Sequence, residues 1–141
     1  MQHIEIKETF PFSVEQLFAF MERHENLEGI FSPIKITTIR EGENERYGVG
    51  SVRRLQVAIE PPFEESITAY TRNELIEYKI TKGSPLKDHH GIMRFTGTNT
   101  GSALNYTIDF DSFIPFVAQI VRFFLERSIR KGLKKLQKTS L

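Results

Sequence analysis

Between residues 34 and 111, apolar side chains alternate with polar ones in six successive segments, and the helical period is absent. Alternation at period two places one set of side chains on each face of a strand. The segments cover residues 34–40, 51–59, 63–71, 75–81, 89–96 and 103–110. The breaks between them have turn chemistry: a polar loop at 41–48, Pro61-Pro62, Arg72-Asn73-Glu74, the stretch 82–85, and Asn99-Thr100-Gly101. Six strands joined this way form an antiparallel meander, and an antiparallel sheet has one face to bury. Residues 3–10 alternate as well, with Ile4, Ile6 and Phe10 on one side, and are expected to join the same sheet.

The stretch 111–141 is the only large apolar surface left to cover that face. It carries Pro115 near its start, no glycine until Gly132 and a basic second half, which reads as one long closing helix. Its first half, 113–125, is apolar on most of its circumference, more than one buried face needs. The second half thins to a ridge of Val121, Leu125, Ile129, Leu133 and Leu136. A second, shorter helix opens after the first strand. Ser13 is placed to cap it, Gln16 completes a capping box, Phe12 can staple onto Leu17, and Val14, Leu17, Phe18 and Met21 form its apolar face. A short helical piece at 25–30 follows and ends before Pro33.

Composition narrows the function classes. There are twelve Phe, no Trp and no Cys in 141 residues. The missing cysteines exclude disulfides, thiolate metal sites and a cysteine nucleophile. A net charge of +1 gives no global field for nucleic acid. The basic residues Arg127, Arg130, Lys131, Lys134, Lys135 and Lys138 read as a solvated helix face that also complements the negative end of the helix dipole. Residues 1–7 alternate and carry charge, unlike a signal peptide. The run 113–125 is interrupted by Gln119 and Arg122, and it is shorter than the roughly 20 residues that span a bilayer. A cytoplasmic protein with no integral membrane association is expected.

The order of strand, two short helices, six strands and long helix carries local motifs that point to one family. Phe12-Ser13-Val14-Glu15-Gln16-Leu17-Phe18 opens the short helix, and Gly48-Val49-Gly50 leads Ser51-Val52-Arg53-Arg54 into a strand. Glu65–Tyr70 and Leu75–Tyr78 form two strands around a tight turn, and Gly101-Ser102 precedes the last strand. The sequence resembles the helix-grip superfamily (SRPBCC) of Bet v 1, START-like domains and bacterial polyketide cyclases. The resemblance covers nearly the whole chain, with Ser102 where the family often has threonine. It implies a single α+β domain over residues 1–141. A seven-stranded antiparallel sheet would curl around the C-terminal helix, leaving a cavity between its concave face and the first half of that helix.

Strand alternation then names the inward side chains. Leu55, Val57 and Ile59 share a face with Arg53. Ile67 and Ala69 bring Glu65 inward, and Ile76, Tyr78 and Ile80 point in together. Met93 and Phe95 carry His89, while Leu104, Tyr106, Ile108 and Phe110 line the last strand. The expected ligand-binding set is Arg53, Leu55, Val57, Ile67, Tyr78, Met93, Phe95, Tyr106 and Ile108 on the sheet, with Phe116, Ile120 and Phe124 on the helix. Buried charges are costly unless paired, so Arg53 is expected to pair with Glu65. His89 and Glu65 are the candidates for proton transfer, although a one-residue slip would exchange His89 for His90.

No cofactor motif stands out. Gly48-Val49-Gly50 lacks the rest of a dinucleotide fingerprint, no Gly-x-Ser-x-Gly elbow occurs, and adjacent His89 and His90 point to opposite faces, so no metal site is expected. Three readings follow. The first is a module binding a small hydrophobic or amphipathic molecule, and the second a cyclase or dehydratase acting on a polyketide-like chain. The third is a protein-interaction role, a homodimer included, through the outer side of Phe116 and Phe123.

Overall fold

The computed structural model describes Met1–Leu141. The chain forms β1 (Gln2–Phe10), α1 (Val14–Glu22), a 3-10 turn (His24–Gly29), then β2 (Lys35–Arg40), β3 (Val52–Gln56), β4 (Phe63–Thr71), β5 (Leu75–Lys82), β6 (Leu86–Thr98) and β7 (Gly101–Ser112), and closes with α2 (Val117–Gln137). All seven strands make one sheet in the order β1-β7-β6-β5-β4-β3-β2, and every pairing is antiparallel. Strands β2 to β7 are sequential hairpins, while β1 sits beside β7 at the far edge. The connection from β1 to β2 must therefore cross the sheet, and α1 with the 3-10 turn makes that crossing.

Helix α1 starts where the sequence says it should. The Gln16 amide donates to Ser13 Oγ (3.2 Å) and the Ser13 amide donates to Gln16 Oε1 (3.0 Å), a complete capping box. Leu17, Phe18 and Met21 are buried on its inner face. The 3-10 turn that follows does a second job at the β2 edge. Glu28 Oε2 accepts the Ile36 amide (2.8 Å), and Glu25 Oε2 accepts both the Thr38 amide (3.0 Å) and its hydroxyl (2.7 Å). These are outward-facing donors of an edge strand, which would otherwise have only water.

Two elements depart from expectation. Strand β3 ends at Gln56 instead of 59. Ala58 takes a left-handed φ of 51° and the Glu60 amide bonds back to Val57 O (3.0 Å), so a turn replaces the last strand residues. The two prolines that follow cannot donate to a ladder, which favours ending the strand early. Val57 is consequently only half-buried, and Ile59 is 99% exposed instead of facing inward.

The closing helix begins at Val117, because β7 runs on to Ser112 and a turn intervenes. Pro115 biases Ile114 away from helical backbone, and Phe116 sits at φ 67°, in the left-handed region. Its seat is its second half: Ile129, Gly132, Leu133 and Leu136 are buried, chiefly over β1 and β7. A Cβ on Gly132 would lie 2.7 Å from Ile30 Cα, so glycine is what lets α2 touch the 3-10 turn. Ser128 fixes the same corner, its hydroxyl lying 2.9 Å from Ser32 O and 3.2 Å from Ile30 O.

Candidate functional site

The concave face of the sheet is lined mostly by apolar side chains, as alternation requires. Leu55, Ile67, Met93, Phe95 and Ile108 are all buried in a single core cluster with Tyr78 and Tyr106. Through this core runs a chain of polar groups. Arg53 and Glu65 face each other across the β3–β4 pair, so their side chains rise from the same side of the sheet. Arg53 Nε donates to Glu65 Oε1 (2.8 Å), with side-chain exposures of only 2% and 8%. Nη2 lies 2.7 Å from the same oxygen but off its hydrogen-bonding direction, and has no directed partner.

The chain continues on both sides of this pair. Towards α1, Arg53 Nη1 reaches His24 Nδ1 (3.4 Å) and His24 Nε2 meets Ser51 Oγ (2.6 Å). Ser51 donates its own hydrogen to Arg40 O (3.2 Å), so it accepts from His24, whose proton is then on Nε2. Burial first, and the neighbouring Arg53 charge second, hold the His24 pKa down to about 3. This histidine is neutral through the physiological range.

Towards β6, Glu65 Oε2 lies 3.9 Å from His89 Nε2. His89 Nδ1 accepts the Ile80 amide (2.9 Å), which leaves Nε2 to carry the proton of the neutral ring and aims it at the carboxylate. Burial lowers the His89 pKa, and the Glu65 charge works against that shift. Asp88 adopts φ 52° at an irregularity between Lys87 and His90, and this kink sets which histidine faces inward. His89 turns into the core. His90 turns outward, with its Nε2 2.6 Å from Glu77 Oε1.

Two tyrosines floor the site. The guanidinium of Arg53 stands 4.5 Å above the Tyr78 ring, and the Tyr78 and Tyr106 hydroxyls share a hydrogen bond. Burial raises both phenol pKa values, helped by the Glu65 charge at Tyr78 and by Tyr78 itself at Tyr106. Gly91, opposite Tyr78 on β6, makes room for the ring: a Cβ there would lie 2.2 Å from Tyr78 Cζ. Burial is the largest single influence on the Arg53 pKa and acts downward, while the Glu65 charge, Tyr78, Tyr106 and the hydrogen bond to Glu65 together raise it on balance. The arrangement holds a fixed positive charge and aimed donors within an apolar core, and it can pass a proton between Glu65 and His89. No three His, Asp or Glu side chains converge as a metal site needs.

Alternation brings Arg53, Glu65, Tyr78, His89 and Tyr106 together. The expected set leaves out His24, the first residue of the 3-10 turn, and Ser51, which precedes β3 on the parity of Arg53. The signal for His24 is its place in a three-residue series with Met21 and Leu27, all three buried. The helix side of the expected pocket is corrected by the structure. Phe116, Ile120 and Phe124 are 76%, 57% and 63% exposed, because α2 starts late and turns Ala118, Val121 and Leu125 toward the sheet instead. Two open clefts lie elsewhere. One, of about 790 Å³, lies among Glu28, Ser32, Pro33, Lys35, Gln56 and Ala58. The other, of about 590 Å³, runs beside Gln2, Gln119, Arg122, Phe123, Arg127 and Arg130. Neither is lined by any residue of the expected ligand set.

A family model described as polyketide cyclase / dehydrase and lipid transport matches residues 1–140. No curated protein matches the sequence. Among solved structures, the chain is similar to a START superfamily protein from Mycobacterium smegmatis, at 13% identity over 96% of this chain and 97% of that one, with a TM-score of 0.77. It is similar to the protein XoxI from Bacillus cereus, at 18% identity over 98% and 94% with a TM-score of 0.71. The Aha1 dimer from Colwellia psychrerythraea gives 13%, 97% and 94%, and 0.68. At such identities the likeness is one of fold.

Proposed function

The chain belongs to the polyketide cyclase / dehydrase and lipid transport family, and from that premise we propose that it binds a small amphipathic molecule. The ligand lies between the concave sheet face and α2, apolar along its length and carrying a carboxylate or carbonyl at one end. The observation that carries this reading is Arg53. A guanidinium inside an apolar core costs several kcal/mol of desolvation, roughly, even when it is paired. The pairing is also imperfect, since Nη2 lies 2.7 Å from the Glu65 carboxylate without a directed hydrogen bond. A fold selected for stability alone has no use for that arrangement, whereas a polar ligand end would satisfy Nη2. The rings of Tyr78 and Tyr106, with Leu55, Ile67, Met93, Phe95 and Ile108, supply the apolar contact. Entry goes through the first half of α2, where Val121 and Leu125 are half-buried while Ile129 to Leu136 anchor the rest.

A panel of fatty acids and their methyl esters tests this by thermal shift, together with native mass spectrometry of the purified protein before and after organic extraction. Acids are expected to raise Tm more than the matching esters, and Arg53→Met to erase that preference. No co-purifying compound and no shift with any panel member would sink the reading.

A second reading, proton transfer on a bound polyketide-like substrate, is favoured by one specific observation. Glu65 and His89 are both buried and face each other at 3.9 Å. In that case Glu65→Gln lowers turnover while leaving ligand-induced shifts in place.

A further inference from the structure

We propose that the outward face of α2 is a docking surface for an anionic lipid bilayer. The residues at positions 116, 120, 124, 127, 131, 135 and 138 fall three or four apart and so form one solvent-facing stripe. Its first three members are Phe116, Ile120 and Phe124, and its last four are Arg127, Lys131, Lys135 and Lys138. Phe123, Phe113 and Ile114 widen the apolar end, all of them more than half exposed. Contiguous apolar surface of this kind on a folded chain marks a place that meets something else.

Charge says what it meets. Arg122 and Arg130 share the single carboxylate of Glu126, and Lys134 reaches Glu8. Arg127, Lys131, Lys135 and Lys138 have no carboxylate partner. The cleft beside Phe123 gathers Arg122, Arg127 and Arg130 around that one glutamate. At the other end of the patch the Lys87 ammonium stands 4.9 Å over the Phe113 ring. Phenylalanines at one end and unpaired cations along the rest match the layering of an anionic bilayer, with acyl chains below and phosphates at the surface. A second copy would bring the same unpaired cations to the contact. A nucleic acid would satisfy the cations and leave the phenylalanines in water.

Docking needs no occupant in the core, so this inference stands apart from the ligand reading. Vesicle flotation tests it, using phosphatidylcholine alone and phosphatidylcholine mixed with phosphatidylglycerol. The protein is expected to float with the anionic vesicles, to stay behind with the neutral ones, and to be released as salt rises. Lys131→Gln with Lys135→Gln should weaken binding roughly 25-fold, at about fivefold per basic residue. Phe123→Ser with Phe124→Ser should weaken it about tenfold or more. All four positions are exposed, and circular dichroism checks that the variants fold. Equal binding to both vesicle types, or none to the anionic ones, overturns the proposal. So does light scattering that shows a dimer dispersed by the Phe variant, or RNA binding without vesicle binding. Failure on vesicles with a co-purifying ligand removes the docking surface alone, and the converse removes the ligand reading alone.

Discussion

Arg53→Met should destabilise the protein by about 3–5 kcal/mol, because it strands the Glu65 carboxylate in the core. Replacing both, as Arg53→Met with Glu65→Leu, should recover most of that loss, since apolar side chains of similar volume fit the surrounding core. Urea denaturation of the two variants separates the outcomes; a double variant no better than the single one would show that the network as a whole holds the fold. His24 supports an acid-stability prediction at the same scale. Its folded pKa of about 3 lies below the model-peptide value of 6.5, so the unfolded chain binds the extra proton between those limits. Stability is therefore full above pH 6.5 and falls as pH drops towards 3, by about 3 kcal/mol between pH 7 and pH 4 from this group. His24→Gln should flatten that slope in a pH series of urea midpoints. Alternation was enough to turn Arg53, Glu65, Tyr78, His89 and Tyr106 inward, because a strand residue's face depends only on its neighbours. His24 opens the 3-10 turn, where strand alternation does not reach, and packing alone brings it to Arg53 and to Ser51.

At the scale of elements, α2 is two helices in one: a seated second half and a first half with half of its surface unclaimed. Gly132→Ala tests the seat. Its Cβ would meet Ile30 Cα at 2.7 Å and Gly29 O at 2.8 Å, both backbone atoms that cannot rotate away. The substitution should cost about 1–3 kcal/mol despite the better helix propensity of alanine, read as a lower Tm. An unchanged or raised Tm would mean that the turn yields. The strands and both α-helices were legible from period and caps, and α1 reproduces its capping box atom for atom. The start of α2 was not legible. A proline near a helix start is compatible with helix on either side of it, and the left-handed Phe116 that decides the matter is not a residue type that announces a turn. That displacement turned Phe116, Ile120 and Phe124 from a pocket floor into an outer surface.

At the scale of the whole molecule, the order of β2 to β7 followed from hairpin spacing alone, whereas alternation put β1 in the sheet without saying that β7 is its neighbour. What a sequence cannot display is how an open sheet ends. No helix here is long and apolar enough to cross a membrane, and the β2 edge faces water. There Glu25 and Glu28 already occupy the amide hydrogens that an incoming strand would need. The two carboxylates thus act as guards against aggregation, and they add charge that repels a like edge. Glu25→Ala with Glu28→Ala should leave the core intact but shorten the time to turbidity on warming, followed by light scattering. If the variant stays as clear as the parent, protection of this rim lies in the irregularity between Thr38 and Arg40. If turbidity comes sooner, the turn that bridges the sheet has a second value, as a guard on an edge along which copies of this chain could add strand to strand.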